Sequence, residues 1–160
     1  MLQNGITPIR ALSDVGSRYM PYLLGPGTIY ELGGANDYYK KFVPTCQSYI
    51  VTDLNPKIEH NVDMTAMPFA DNSVDAFVSI FSLEHIREYA KGIKEVERTL
   101  KPGGRFLLVA PFMYCYHSAP DDFVRFSNPT RRPCFRLKTH AIVNIRSRGL
   151  MVAEMFHEKP

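Results

Sequence analysis

Residues 74–112 read VDAFVSIFSLEHIREYAKGIKEVERTLKPGGRFLLVAPF, and three periods follow one another in them. VDAFVSIFSL (74–83) is a near-continuous apolar run rich in β-branched and aromatic residues, the pattern of a strand buried on both faces. EHIREYAKGIKEVERTL (84–100) then places Ile86, Tyr89, Ile93, Val96 and Leu100 on one stripe of an amphipathic helix, with charges opposite. KPGG sets proline and glycine just past the helix end, and RFLLVAPF (105–112) returns to a buried strand. Strand, helix and strand at this spacing form a βαβ unit with parallel strands.

The same alternation extends outward. TIYEL (28–32) and SYIVTD (48–53) read as two further buried strands, separated by a glycine turn and a short helix, DYYKKFV (37–43). The stretch 55–73 is turn-rich, with room for a brief strand around Val62. Upstream, Ile9, Leu12, Val15, Tyr19, Tyr22 and Leu23 predict a helix over 8–24, stopped by GPG at 25–27. Downstream, the spacing predicts a helix near 137–148, closed by Gly149, and a last strand over 150–156. The expectation is an α/β domain, a mostly parallel sheet with helices on both faces. It divides into an N-terminal helix (1–27), a core (28–112) and a loop, helix and last strand (113–160).

Composition agrees with one folded domain: 160 residues, 45% hydrophobic and 22% charged, are enough for a sizeable core and too apolar for disorder. No apolar run approaches the roughly 18 residues of a membrane span, and MLQNGITPIR lacks a signal-peptide layout. Cys46, Cys115 and Cys134 are odd in number without C-x-x-C spacing, so neither a disulfide framework nor a zinc site is indicated, and a reducing cytoplasm is the expected location. The net charge of +3 is unevenly placed, since no acid lies between Phe123 and Ala153 while seven Arg and Lys residues do. Such a patch is either a solvated face or an attractor of acidic ligands.

Parallel sheets bind ligands beyond the carboxyl ends of their strands, where the strand order reverses. The unusual polar residues sit at such ends: Glu31 closes the first strand, Asp53 the second, and Ser82, Glu84 and His85 follow the third. Asp53 lies 22 residues after Glu31. An acid near that offset can accept from both hydroxyls of a nucleoside ribose, and it can equally cap the next turn.

IYELGGAND, YIVTDLNP, NVDMTAMPFADNSVDAFVSIFSLEHI and ERTLKPGGRFLLVAPF, in that order, resemble the class I S-adenosylmethionine-dependent methyltransferases, and most closely the methyltransferase type 11 group. The resemblance covers roughly residues 28–128 and continues faintly through SRGLMVAEMF; its most specific part runs from Asp63 to LEHI, joined to LKPGG. It implies a compact Rossmann-like domain whose cofactor is S-adenosyl-L-methionine and whose product is S-adenosyl-L-homocysteine. Carried over residue by residue, it implies Glu31, Gly33 and Gly34 at the methionine end, and Asp53, with Leu54 beside it, at the ribose. It likewise implies Asp63 at the adenine amino group with Met64 against the ring, and Phe81 near the methyl.

The chain departs from that pattern in two ways. Ala35 and Asp37 stand where the family usually has glycine, favoured for close backbone approach and positive φ; Asn36 tolerates the left-handed region. Only ten residues separate Asp53 from Asp63, and the chain stops after the 150–156 strand, where the family usually adds an antiparallel strand. A compact or truncated member lacking that strand is therefore expected.

Methyl transfer from a sulfonium is an in-line displacement that needs alignment, exclusion of water and, for a hydroxyl or protonated amine, a general base. His85 and His117 are the candidate catalytic bases, although His85 can instead hold its own turn. The loop 111–127 carries aromatics and an acid pair above the strand ends, so Tyr114 and Arg125 are candidate acceptor contacts; Arg125 can alternatively pair with Asp121 or Asp122. Glu84 can serve as a favourable acid at the start of the following helix. The expected function is methyl transfer to a small molecule, with a nucleic-acid acceptor ranked second and a homodimer through an unpaired sheet edge left open. A nicotinamide oxidoreductase would want G-x-G-x-x-G, which GGANDY does not supply. The rival from another class is a non-catalytic relative that keeps the sheet and has lost the pocket.

Overall fold

In the computed structural model, the structure describes residues 19–21, 25–111, 116, 121–125, 138–145 and 150–156, the last two segments as backbone. Strands β1 (Thr28–Leu32), β2 (Ser48–Asp53), β3 (His60–Asn61), β4 (Val74–Ile80), β5 (Leu100–Pro111), β6 (Lys138–Ile145) and β7 (Leu150–Phe156) form one sheet. Its order is β3-β2-β1-β4-β5-β7-β6. The pairs β1–β2, β1–β4, β2–β3 and β4–β5 are parallel, whereas β7 runs antiparallel to both β5 and β6. Strand order reverses between β1 and β4, so the tips of these two strands flank the crevice where such sheets take ligands.

The core divides across the sheet as a period of two requires. Phe77, Phe106, Leu108 and Ala110 point to one face, where Ile93, Val96 and Leu100 of helix α1 (Tyr89–Thr99) and its end cover them. Ala76, Val78, Leu107 and Val109 point to the other, against Met20 and a 3-10 turn (Tyr38–Phe42) that buries Tyr39. Both faces are thus covered, as expected of a doubly wound sheet. No helix among the described residues is long and apolar enough to cross a membrane.

Several sequence expectations need correction. The helix near 137–148 is not there: residues 138–145 are strand β6, paired with β7 from Lys138↔Phe156 to Ile145↔Leu150. The antiparallel strand that seemed to be missing is β7 itself, and β6 completes a seven-stranded sheet. Leu137, Ala141 and Ile145 imitate helical spacing, and a register shift between Thr139 and Ala141 interrupts the alternation that would have revealed the strand. Strand β4 stops at Ile80 rather than Leu83 because Phe81 turns to φ +52°. A 3-10 turn (Leu83–His85) follows, and the helix starts only at Tyr89. The brief strand lies at His60–Asn61. The expected 8–24 helix falls outside the described residues except for 19–21, which are helical.

Candidate functional site

At the β1–β4 crevice lies a cleft of about 430 Å³, lined by Glu31, Gly33, Gly34, Ala35, Asn36, Tyr38, Tyr39, Ile80 and Phe81. Its floor is a glycine turn held down by one acceptor: the N–H groups of Gly33 and Gly34 both donate to the Thr52 carbonyl, at 2.8 and 3.1 Å. Thr52 Oγ1 in turn donates to the Glu31 carbonyl at 2.8 Å, so the tips of β1 and β2 are tied together twice. Gly33 adopts φ +76°, and a Cβ there would stand 1.8 Å from Ser82 Oγ. At Gly34 a Cβ would meet Val51 Cγ1 at 2.7 Å and Glu31 Cδ at 2.8 Å. The second glycine therefore leaves the space in which the Glu31 carboxyl lies.

Ala35 and Asp37 carry no such demand. Among the described non-glycine residues only Asn72 and Phe81 have positive φ, so the two departures from the family pattern sit in ordinary backbone. Asn36 does not use the left-handed region either; its Oδ1 accepts the Tyr38 N–H at 3.0 Å and starts the 3-10 turn. The strain lies instead at Phe81, a bulky residue at φ +52° on the opposite wall, held by donating its N–H to the Val109 carbonyl at 2.9 Å.

Glu31 dominates the electrostatics. It is 4% exposed, and the Tyr49 hydroxyl donates to its Oε2 at 2.6 Å. Burial raises its pKa from 4.5 to about 7, with the Tyr49 bond opposing and the nearby Asp37 charge adding to the rise. Burial beside this acid also pushes the Tyr49 and Tyr39 hydroxyls far up, so both stay protonated.

The other acids approach along the strand tips without lining the cleft. Asp53 Oδ1 accepts the Asn55 N–H at 2.6 Å, and its carbonyl accepts the Val62 N–H at 3.2 Å, which brings the segment before Asp63 alongside. Asp63 Oδ1 accepts both the N–H and the hydroxyl of Thr65, at 2.7 and 2.8 Å. Leu54 is 62% exposed, an open apolar surface directly after Asp53. Met64 is buried in the core beside α1, where it packs on Gly92.

His85 and Arg125 hold a loop. His85 Nδ1–H donates to the Asp121 carbonyl at 2.6 Å, and the Phe123 N–H donates to the Glu84 carbonyl at 2.8 Å. The Arg87 guanidinium stacks over the Phe123 ring at 5.0 Å, and Arg125 forms a bidentate ion pair with Asp122. Segment 121–125 is thereby strapped to the turn after β4. His85 is not among the residues that line the cleft. His117, Tyr114 and the basic stretch beyond Arg125 lie outside the described side chains.

Sequence reasoning missed Tyr49, Tyr38, Tyr39 and the Ser82 contact. A signal for Tyr49 existed: it pairs with Ile29, two residues before Glu31 on the same face.

The sequence model described as "Methyltransferase domain" matches residues 27–108, half of the chain and every strand tip that builds the cleft. The chain belongs to the S-adenosylmethionine-dependent methyltransferase family. A demethylmenaquinone methyltransferase of Renibacterium salmoninarum is 48% identical over 52 residues, 32% of this chain and 22% of that protein. The chain thus matches about a fifth of that curated relative's length. Among solved structures, Burkholderia thailandensis 1,6-didemethyltoxoflavin-N1-methyltransferase, with its substrate and S-adenosylhomocysteine bound, superposes with TM-score 0.73. Identity there is 12%, over 93% of this chain and 79% of that one. The Bradyrhizobium japonicum N-methyltransferase NodS, in complex with S-adenosylhomocysteine, gives TM-score 0.65 at 14% identity, over 96% of this chain and 89% of that one. These likenesses confirm the class I methyltransferase fold.

The residues present fit the family cofactor. One Glu31 oxygen is engaged by Tyr49 while Oε1 has no donor among the described residues, so a buried carboxyl on the cleft wall is left to meet a cation. An ammonium group at the methionine end of S-adenosylmethionine is such a cation.

Proposed function

We propose that this domain binds S-adenosylmethionine across the tips of β1, β2 and β4 and transfers its methyl group to a small-molecule acceptor. The observation that carries the reading is the Glu31 carboxyl, buried on the wall of the cleft beneath a glycine turn that only glycine can make. Glu31 takes the cofactor's ammonium, Asp53 accepts from the ribose hydroxyls, and Asp63 accepts from the adenine amino group. Leu54 offers its exposed side chain to the base.

When bound, the cofactor supplies a methyl carbon on a positively charged sulfur. The chain's own residues then have two tasks. Gly33, Gly34 and Phe81 fix the direction from which the methyl faces the acceptor, and the strap at 121–125 keeps water from the β4 side. On this reading His85 acts through that strap rather than on the reacting atoms, because it does not line the cleft and its Nδ1–H ties it to the Asp121 carbonyl. His117 remains the candidate base when the acceptor has a proton to lose. Demethylmenaquinone and 1,6-didemethyltoxoflavin, the acceptors named for two similar proteins, support a small-molecule acceptor class.

Isothermal calorimetry with S-adenosylmethionine tests this directly. Saturable binding, weakened roughly tenfold or more by Asp53→Ala through loss of charge-assisted hydrogen bonds, is expected. The rival reading, a non-catalytic relative, rested on Ala35, Asp37 and a missing final strand; neither residue sits at positive φ, and the antiparallel strand is present as β7. Ala35→Gly should accordingly change affinity by no more than about twofold, since no strain is relieved. No binding at millimolar cofactor would favour the non-catalytic reading.

A further inference from the structure

We propose that Tyr49 is a positioning residue of the cofactor site: from outside the cleft, its hydroxyl orients Glu31 and favours the carboxylate that receives an ammonium group. The inference rests on the reading of the cleft as a S-adenosylmethionine site and adds a residue to it. Tyr49 is 8% exposed and absent from the cleft wall, so it acts on a ligand only through Glu31. Its donation to Oε2 at 2.6 Å restrains the carboxyl of this cleft-lining residue and leaves Oε1 without a donor among the described residues.

Among the described residues, Tyr49 is the one group favouring the carboxylate. From β2, Tyr49 faces Glu31; from the 3-10 turn, Tyr39 does; from the loop before it, Asp37 adds negative charge; and β4 contributes the apolar Val78 and Ile80. No cationic group among the described residues influences Glu31. Burial raises the pKa of the free acid to about 7, and among the described residues only the Tyr49 bond opposes this. An entering ammonium then displaces the proton: the O–H bond of Glu31 breaks, the proton goes to solvent, and an ion pair with Oε1 takes its place. Cofactor binding is therefore coupled to proton release, and Tyr49 sets the pH at which the coupling ends.

Calorimetric titration of the whole chain with S-adenosylmethionine between pH 6 and pH 9, in buffers of high and low ionisation enthalpy, reads both quantities. The wild type should release close to one proton at pH 6, with affinity rising up to tenfold per pH unit and levelling off above about pH 7, until deprotonation of the ligand's own amino group at about pH 8 lowers it again. In Tyr49→Phe the levelling-off should move up by about one unit: the ratio of wild-type to variant affinity at each pH, in which the ligand's own titration cancels, should be roughly tenfold at pH 6, about fivefold at pH 7 and close to one at pH 9. Carbon-13 titration of the Glu31 carboxyl in the free protein should move the same way in Tyr49→Phe, whether or not ligand binds. A pH profile and carboxyl titration unchanged in Tyr49→Phe, in a variant that melts like the wild type, would overturn the role of Tyr49. Absence of any binding by the wild type would instead sink the cofactor assignment.

Discussion

Ser82 Oγ lies only 1.8 Å from the point at which a side chain on Gly33 would have to begin. The glycine turn after β1 and the chain leaving β4 thus close on each other at the strand-order reversal, and the cleft opens beside that contact. Two separate costs attach to replacing Gly33: positive φ at +76° and the collision with Ser82. Gly33→Ala should destabilise by about 3 kcal/mol or more and weaken cofactor binding. Adding Ser82→Gly should restore the part due to collision and leave the part due to φ. Urea unfolding of the two single variants and the double variant checks this, and strict additivity would contradict it.

The buried acid makes stability depend on pH in an unusual direction. Glu31 rises from 4.5 unfolded to about 7 folded, so between those values the folded state holds more protons than the unfolded one. Its contribution is fully present below about pH 4.5 and is lost as pH rises through about 7, to a limit of about 3 kcal/mol. Comparing urea unfolding of the wild type with Glu31→Gln at pH 5 and pH 8 isolates it. The variant should gain on the wild type at pH 8, and an equal difference at both values would refute the linkage.

His85 offers a test of the strap. His85→Ala removes the donor to the Asp121 carbonyl and should speed hydrogen exchange at the Phe123 amide by about tenfold, while His85→Asn, which keeps a donor, should retain most of the protection. Cofactor affinity should stay within about twofold in both, because His85 does not line the cleft. A loss of affinity in His85→Asn with protection intact would move His85 from the strap to the ligand.

The parallel half of the sheet was readable because its strands are buried on both faces and announce themselves as unbroken runs, as in VDAFVSI and RFLLVAP. Strand β6 was not, because a register irregularity and four-residue apolar spacing masked its alternation. Among the site residues, Glu31 and Asp53 stand out by their place at strand ends, whereas Gly33, Gly34 and Phe81 follow from the resemblance; the cleft brings Glu31, Gly33, Gly34 and Phe81 together. Leu54, Asp63 and Met64 likewise rest on resemblance, and Met64 lies within the core. What sequence could not convey is contact across the sheet. Tyr49 is 18 residues from Glu31, and Ser82 meets Gly33 only after the chain has crossed from β1 to β4.

The most direct test of the central claim is an amide NMR titration of the labelled chain with S-adenosylhomocysteine. The resonances of Gly33, Gly34, Asp53, Asp63 and Phe81 should shift together along one saturation curve, reporting a single ligand spanning three strand tips. Shifts that leave Gly33 and Asp53 unmoved, or that follow separate curves, would contradict a shared adenosyl-methionyl site.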